Sequence, residues 1–285
     1  MQIIMILCPA RPWFGVLNPD NFLEHFLCYN SPMKKNKILI VANWKMNPES
    51  AEKAREIFLE TKKTVKTLKN TKVVVCPPFV YLSDLEKVND SKIILGAQDM
   101  FWEKSGSFTG EISSNMLKKE GYVILGHSER RELGETEEMI AKKISSALSA
   151  GLKPILCIGE KERDVHGDYF AFLKNQIINS IGKLPKNLFK KLIIAYEPIW
   201  AIGKSEDEAM KPADIHETSL FIKKVLTDLG GKKEVLNIPI LYGGSVNHNN
   251  AKEMITKGEI QGLLVGRESL LPKKFAELLK NVDKM

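Results

Sequence analysis

The chain has 285 residues, 44% of them hydrophobic and 27% charged, with a formal charge of +7 at neutral pH. Such a balance excludes a disordered or low-complexity protein, and the length suits one large domain or two small ones. The basic residues are spread along helical faces with acids between them and form no block, so no nucleic-acid partner is expected, only a modest attraction for small anions.

Residues 1–32 differ in character from the rest of the chain. The apolar start, Met1 to Cys8, has no basic residue and meets Pro9 at once, too short to span a bilayer and unlike a signal peptide. Pro9, Pro12, Pro19 and Pro32 then break any regular element. We read 1–32 as a disordered or adventitious extension, such as an upstream start would add, and 33–285 as a single catalytic domain opening at Met33-Lys34-Lys35-Asn36-Lys37. The four cysteines show no paired spacing, and Cys76 and Cys157 sit inside apolar runs as small hydrophobes. A reducing, cytoplasmic setting without membrane attachment is the expectation.

From there strands and helices alternate. Lys37–Ala42 reads as a strand, and Glu49–Lys69 as a helix with Ala54, Ile57, Phe58, Thr61 and Val65 on one face. Strand Val73–Cys76 stops at Pro77-Pro78 before a helix Tyr81–Val88. Strand Ile93–Ala97 leads into a long loop through Gly110 and a brief helix Ser113–Glu120. Strand Tyr122–Leu125 is followed by a polar turn and a helix Glu137–Ala150. Strand Pro154–Cys157 pairs with helix Asp168–Ile181, Leu192–Tyr196 with Pro212–Leu229, Ile238–Leu241 with Asn249–Thr256, and Gly262–Val265 with Leu270–Val282. The strands are continuous apolar runs, as in a parallel sheet covered on both faces, and the repeat predicts an α/β protein with a closed (β/α)8 barrel. A doubly wound open sheet is the alternative, but the first strand ends in Asn43-Trp44-Lys45 and lacks the expected glycines.

In such a barrel chemistry collects where strands end. Glu197 stands at the tip of the sixth strand, stopped by Pro198, and an apolar stretch from Ile199 to Gly203 follows it like a flap. A buried structural carboxylate would look the same in isolation. The other tips carry Asn43 and Lys45, Gln98, the run Gly126-His127-Ser128-Glu129-Arg130, Gly243-Gly244-Ser245 and Gly266-Arg267. His127 is the histidine at a tip; His25, His166, His216 and His248 lie elsewhere, and no metal-ligand spacing is present. A desolvated carboxylate is a base for a carbon acid, since burial raises its pKa. An imidazole exchanges protons with substrate oxygens, an ammonium stabilises an enediolate, and glycine-rich turns expose amides to a phosphate. Together these describe proton transfer beside a carbonyl on a small phosphorylated substrate.

The motifs carry a resemblance. Ala42-Asn43-Trp44-Lys45-Met46-Asn47, Gly126-His127-Ser128-Glu129-Arg130-Arg131 and the run Ala195-Tyr196-Glu197-Pro198-Ile199-Trp200-Ala201-Ile202-Gly203 resemble triosephosphate isomerases. So do Gly96-Ala97-Gln98, Phe108-Thr109-Gly110-Glu111 and Tyr242-Gly243-Gly244-Ser245, over residues 36–282. The resemblance implies a cofactor-free, metal-free isomerase of glycolysis and gluconeogenesis that interconverts dihydroxyacetone phosphate and glyceraldehyde 3-phosphate. It implies Glu197 as base, neutral His127 as electrophile, and Asn43 and Lys45 as groups that bind and polarise substrate. It also implies phosphate-holding amides at Gly203, Ser245, Gly266 and Arg267, support from Ser128 and Glu129, and a homodimer whose loop at Thr109 reaches the neighbouring site. Three departures stand out. Lys204-Ser205-Glu206 follows Gly203 where Thr-Gly-Lys is usual. Val265-Gly266-Arg267-Glu268-Ser269 replaces Val-Gly-Gly-Ala-Ser, with a Cβ on Arg267 that restricts the backbone. Gln261 stands where Asp is common. A different phosphosugar isomerase or epimerase would need another acid–base pair, and a silent barrel kept for binding would be marked by loss of Glu197, His127 or Lys45.

Overall fold

In the computed structural model the described residues are 37–117, 121–204 and 209–285. The extension read over residues 1–32 lies outside them, as do Ser205 and Glu206 of the altered flap. Eight short strands form: β1 Ile38–Asn43, β2 Thr71–Cys76, β3 Ile94–Ala97, β4 Tyr122–Leu125, β5 Lys153–Ile158, β6 Ile193–Tyr196, β7 Ile240–Tyr242 and β8 Gly262–Val265. Each pairs in parallel with the next, and β1 pairs with β8, so the sheet closes as a barrel and the open-sheet alternative falls. Side chains alternate across each strand, which explains the continuous apolar runs. Leu39, Val41, Val74, Ile124, Ile155 and Leu241 belong to a cluster made of strand residues alone, the barrel interior. Their neighbours Ile40, Ala42, Val73, Val75 and Leu125 join the larger cluster under the helices.

The helices follow their patterns. Helix Ala51–Val65 starts at Ser50, whose hydroxyl accepts the Lys53 N–H at 3.2 Å, and it buries Ala54, Ile57, Phe58, Thr61 and Val65. Helix Glu137–Ser149 starts at Thr136 in the same way. Three boundaries differ for local reasons. Of the helix expected over Ser113–Glu120, residues 118–120 lie outside the described residues, and the described part forms a 3-10 turn at Ser114–Leu117. The polar turn after β4 contains a helix, Ser128–Glu132. Ile238 is buried but precedes its strand: its N–H donates to Val235 O, closing helix Lys232–Val235, and Pro239 follows, so β7 starts at Ile240. No helix among the described residues is long and apolar enough to cross a membrane.

Candidate active site

The end of β1 places the first two groups. Asn43 is buried, and its Oδ1 accepts the Lys45 N–H at 3.0 Å. Lys45 lies at φ 54°, in the left-handed region, a strain of roughly 1 kcal/mol for a residue with a Cβ. Gln98 offsets it from the tip of β3: its Nε2 donates to Lys45 O and to Cys76 O, each at 2.8 Å. The Lys45 ammonium meets Glu129 Oε1 at 2.6 Å. Both side chains are partly exposed, so this pair aims the ammonium more than it stabilises the fold.

The end of β4 delivers His127 as the cap of helix Ser128–Glu132. Its Nδ1 accepts the Glu129 N–H at 3.2 Å, which assigns the ring proton to Nε2. That nitrogen lies 3.3 Å from Glu197 Oε1, and both side chains are about 95% buried. Burial is the largest influence on Glu197 and acts to raise its pKa, as the sequence suggested. The charge and hydrogen bond of His127 nevertheless outweigh it, with help from Cys157 and Lys45, and the carboxyl is held below its ordinary value. Burial likewise lowers His127, but Glu197 more than offsets this and the ring sits above its ordinary value. The expectation of a raised Glu197 is therefore corrected for this arrangement, in which the two groups stabilise each other's charge. Glu197 Oε2 is buried with no hydrogen-bond partner among the described residues. Behind it lies a void of about 10 Å³ shared by Ser128, Cys157 and Gly126.

The flap begins as a 3-10 turn, Ile199–Ala201, anchored on Glu160. Trp200 Nε1 and Tyr196 OH both donate to Glu160 Oε1, at 2.9 and 2.8 Å. Its far side is held by Ser245, whose Oγ lies 2.9 Å from Ala201 O and 3.0 Å from Lys204 O. Gly203 takes φ 74°, which glycine adopts without strain. Asn250 secures the turn after β7, donating from Nδ2 to Ser245 O and accepting the Asn247 N–H. After β8, Arg267 opens a 3-10 turn with no positive φ, so its Cβ is accommodated. Gln261 Oε1 accepts the Ile240 N–H at 2.9 Å, tying the start of β8 to β7.

These elements enclose a cavity of about 380 Å³ lined by Asn43, Lys45, His127, Glu197, Gly203, Ser245, Gly266 and Arg267, a size suited to a small ligand. Glu129 reaches it through Lys45, Ser128 lies behind Glu197, and Thr109 lies on an exposed loop apart from the lining. Gln98, Glu160 and Asn250 hold the site together. Gln98 stood out in the sequence by its place at a strand tip and within the Gly96-Ala97-Gln98 motif, and the other two carried no separate signal.

A model of the family described as triosephosphate isomerase matches residues 38–282. A protein named triosephosphate isomerase from Thermoanaerobacter pseudethanolicus is 42% identical over 248 residues, covering 85% of this chain and 98% of the relative. One from Dictyoglomus thermophilum matches with the same identity and coverage. A third, from Aquifex aeolicus, is 42% identical over 246 residues, again with 85% and 98% covered. With a closed barrel whose strand tips converge on one cavity, and relatives matched over nearly their whole length, this chain belongs to the triosephosphate isomerase family.

Proposed function

We propose that the chain interconverts dihydroxyacetone phosphate and D-glyceraldehyde 3-phosphate through an enediolate, without a cofactor, with Glu197 as the base. The observation that carries this reading is the buried Glu197–His127 pair, 3.3 Å apart, at one wall of a cavity whose other end is formed by Gly203, Ser245 and Gly266. A substrate lying between the pair separates it. Burial then acts on each group with less opposition, so the carboxylate becomes a stronger base and the imidazole a neutral donor.

Glu197 takes the proton from the carbon bearing the hydroxyl, and the electron pair moves onto the carbonyl oxygen. The His127 Nε2–H and the Lys45 ammonium stabilise that oxygen as its charge grows. A hydroxyl proton passes between the two oxygens by way of His127. Glu197 returns its proton to the neighbouring carbon, and ketone has become aldehyde with no net change in protons. Asn43 orients substrate, Ser128 and Glu129 support His127 and Lys45, and the amides of Gly203, Ser245, Gly266 and Arg267 hold the phosphate. The stretch from Ile199 to Gly203 covers the reaction and limits loss of phosphate from the enediolate; this family is itself the standing example of such a lid.

The same reading makes the chain a cytoplasmic homodimer. Supporting the dimer, Met46 and Leu133 are largely exposed, and Phe101, Trp102 and Phe108 stack along the loop that carries Thr109. Thr109→Arg should weaken assembly on a sizing column and activity together. For the reaction, a coupled assay with dihydroxyacetone phosphate should show turnover that falls about a thousandfold in Glu197→Gln, with the melting transition kept. Near-normal turnover in that variant would remove Glu197 from the mechanism.

A further inference from the structure

Two of the cations lining the cavity, Lys45 and Arg267, differ in their company. Lys45 is paired with Glu129. Arg267 is exposed, lines the same cavity, and has no ion-pair or hydrogen-bond partner among the described residues. Its Nη2 lies 3.7 Å from where a Cβ on Gly203 would stand, so the guanidinium rests against the flap. The adjacent carboxylate does not neutralise it. Glu268 Oε1 is 2.6 Å from His248 Nδ1 and accepts the His248 backbone N–H at 3.2 Å, and the Glu268 side chain is only 10% exposed. Lys45 Cε passes 3.6 Å from the Cβ position of Gly266. A guanidinium with no partner among the described residues thus lines the cavity beside Gly203 and Gly266.

Amides offer a phosphate neutral dipoles, whereas a guanidinium offers paired N–H donors and a full charge. We propose that the Arg267 side chain is a phosphate ligand of this cavity, gripping a phosphate monoester dianion through its guanidinium in addition to the backbone donors, and so helps set specificity for the dianion. Glu268 is kept from competing for that guanidinium by His248. The inference rests on the phosphosugar reading of the site and concerns one side chain within it.

Binding of inorganic phosphate, followed by calorimetry on the full chain, tests it without requiring turnover. Arg267→Ala should weaken phosphate binding about tenfold, the scale of one charge-assisted hydrogen bond, and Arg267→Lys should recover part of the loss. Added sodium chloride should weaken binding less in Arg267→Ala than in the parent chain, because one charge has gone. In the isomerase assay KM for dihydroxyacetone phosphate should rise by a larger factor than kcat falls. Unchanged phosphate affinity and salt dependence in Arg267→Ala would overturn the proposal, as would a parent chain that binds no phosphate at millimolar concentration. A parent chain that binds phosphate through Arg267 yet fails to turn over the triose would instead sink the isomerase reading and leave this one standing.

Discussion

The two ends of the cavity are built on opposite terms. At the Glu197–His127 end the side chains are buried and 3.3 Å apart, and both lie in motifs that resemble the family's. At the Gly203–Arg267 end the walls are glycine, backbone and an exposed guanidinium, and two of the departures from the family pattern gather there. Proton transfer needs reacting atoms held within a few tenths of an ångström, so its residues have few substitutes. An anion is satisfied by many arrangements of donors, so that end can change its parts.

The sharpest way to break this contrast is Lys45→Gly. It removes the ammonium and should lower kcat/KM by about a hundredfold to a thousandfold. The same change relieves the positive φ and should raise stability by up to about 1 kcal/mol in urea melts. A destabilised variant would show that Lys45 is not strained. Gly243→Ala tests the tolerance at the buried end by geometry alone. Its Cβ would stand 2.7 Å from Glu197 Cγ, and displacing the carboxylate should cost about a hundredfold in turnover with no titratable group altered. Turnover close to the parent's would mean that the base need not be held so closely. Glu129→Gln should lower kcat several-fold as Lys45 loses its guide, while stability moves by less than about 1 kcal/mol, because the pair is half in solvent.

A pH series addresses the coupled pair. Glu197 is depressed, so its contribution is present above its ordinary value of 4.5 and lost as pH falls through the folded value. His127 is raised, so its contribution is full below 6.5 and lost as pH rises through the folded value. The part of the Tm difference between the parent chain and His127→Gln that varies with pH should therefore favour the parent most between these values and shrink on both sides. A difference that does not vary with pH would show that the pair adds no charge-dependent stability. The smallest effect is expected from deleting residues 1–32, which should leave both activity and Tm unchanged; a drop of several degrees would assign that segment to the core.

Much of the barrel was legible because its strands are short apolar runs closed by proline or by polar tips. Tyr122–Leu125 and Gly262–Val265 have the same limits in sequence and structure. Helix Ser128–Glu132 was not legible, since five charged or hydroxyl residues show no apolar period and the cap is an imidazole. At the site, position along the chain pointed to the residues that line the cavity, because a strand tip is a local feature. What escaped the sequence was relational. Nothing local says that Lys45 has a positive φ, that Gln98 bridges to its carbonyl, or that His127 would reverse the effect of burial on Glu197. Those depend on strands far apart in the chain meeting at one rim.

The seam between β1 and β8 sets the order in which this protein can become useful during synthesis. Asn43 and Lys45 leave the ribosome early and must wait for Gly266 and Arg267, which follow the last strand. Until β8 docks between β7 and β1, the barrel has two open edges and the cavity lacks a wall. A nascent or truncated chain ending before β8 therefore cannot assemble the complete site, and capture of the triose becomes a report that the ring has closed.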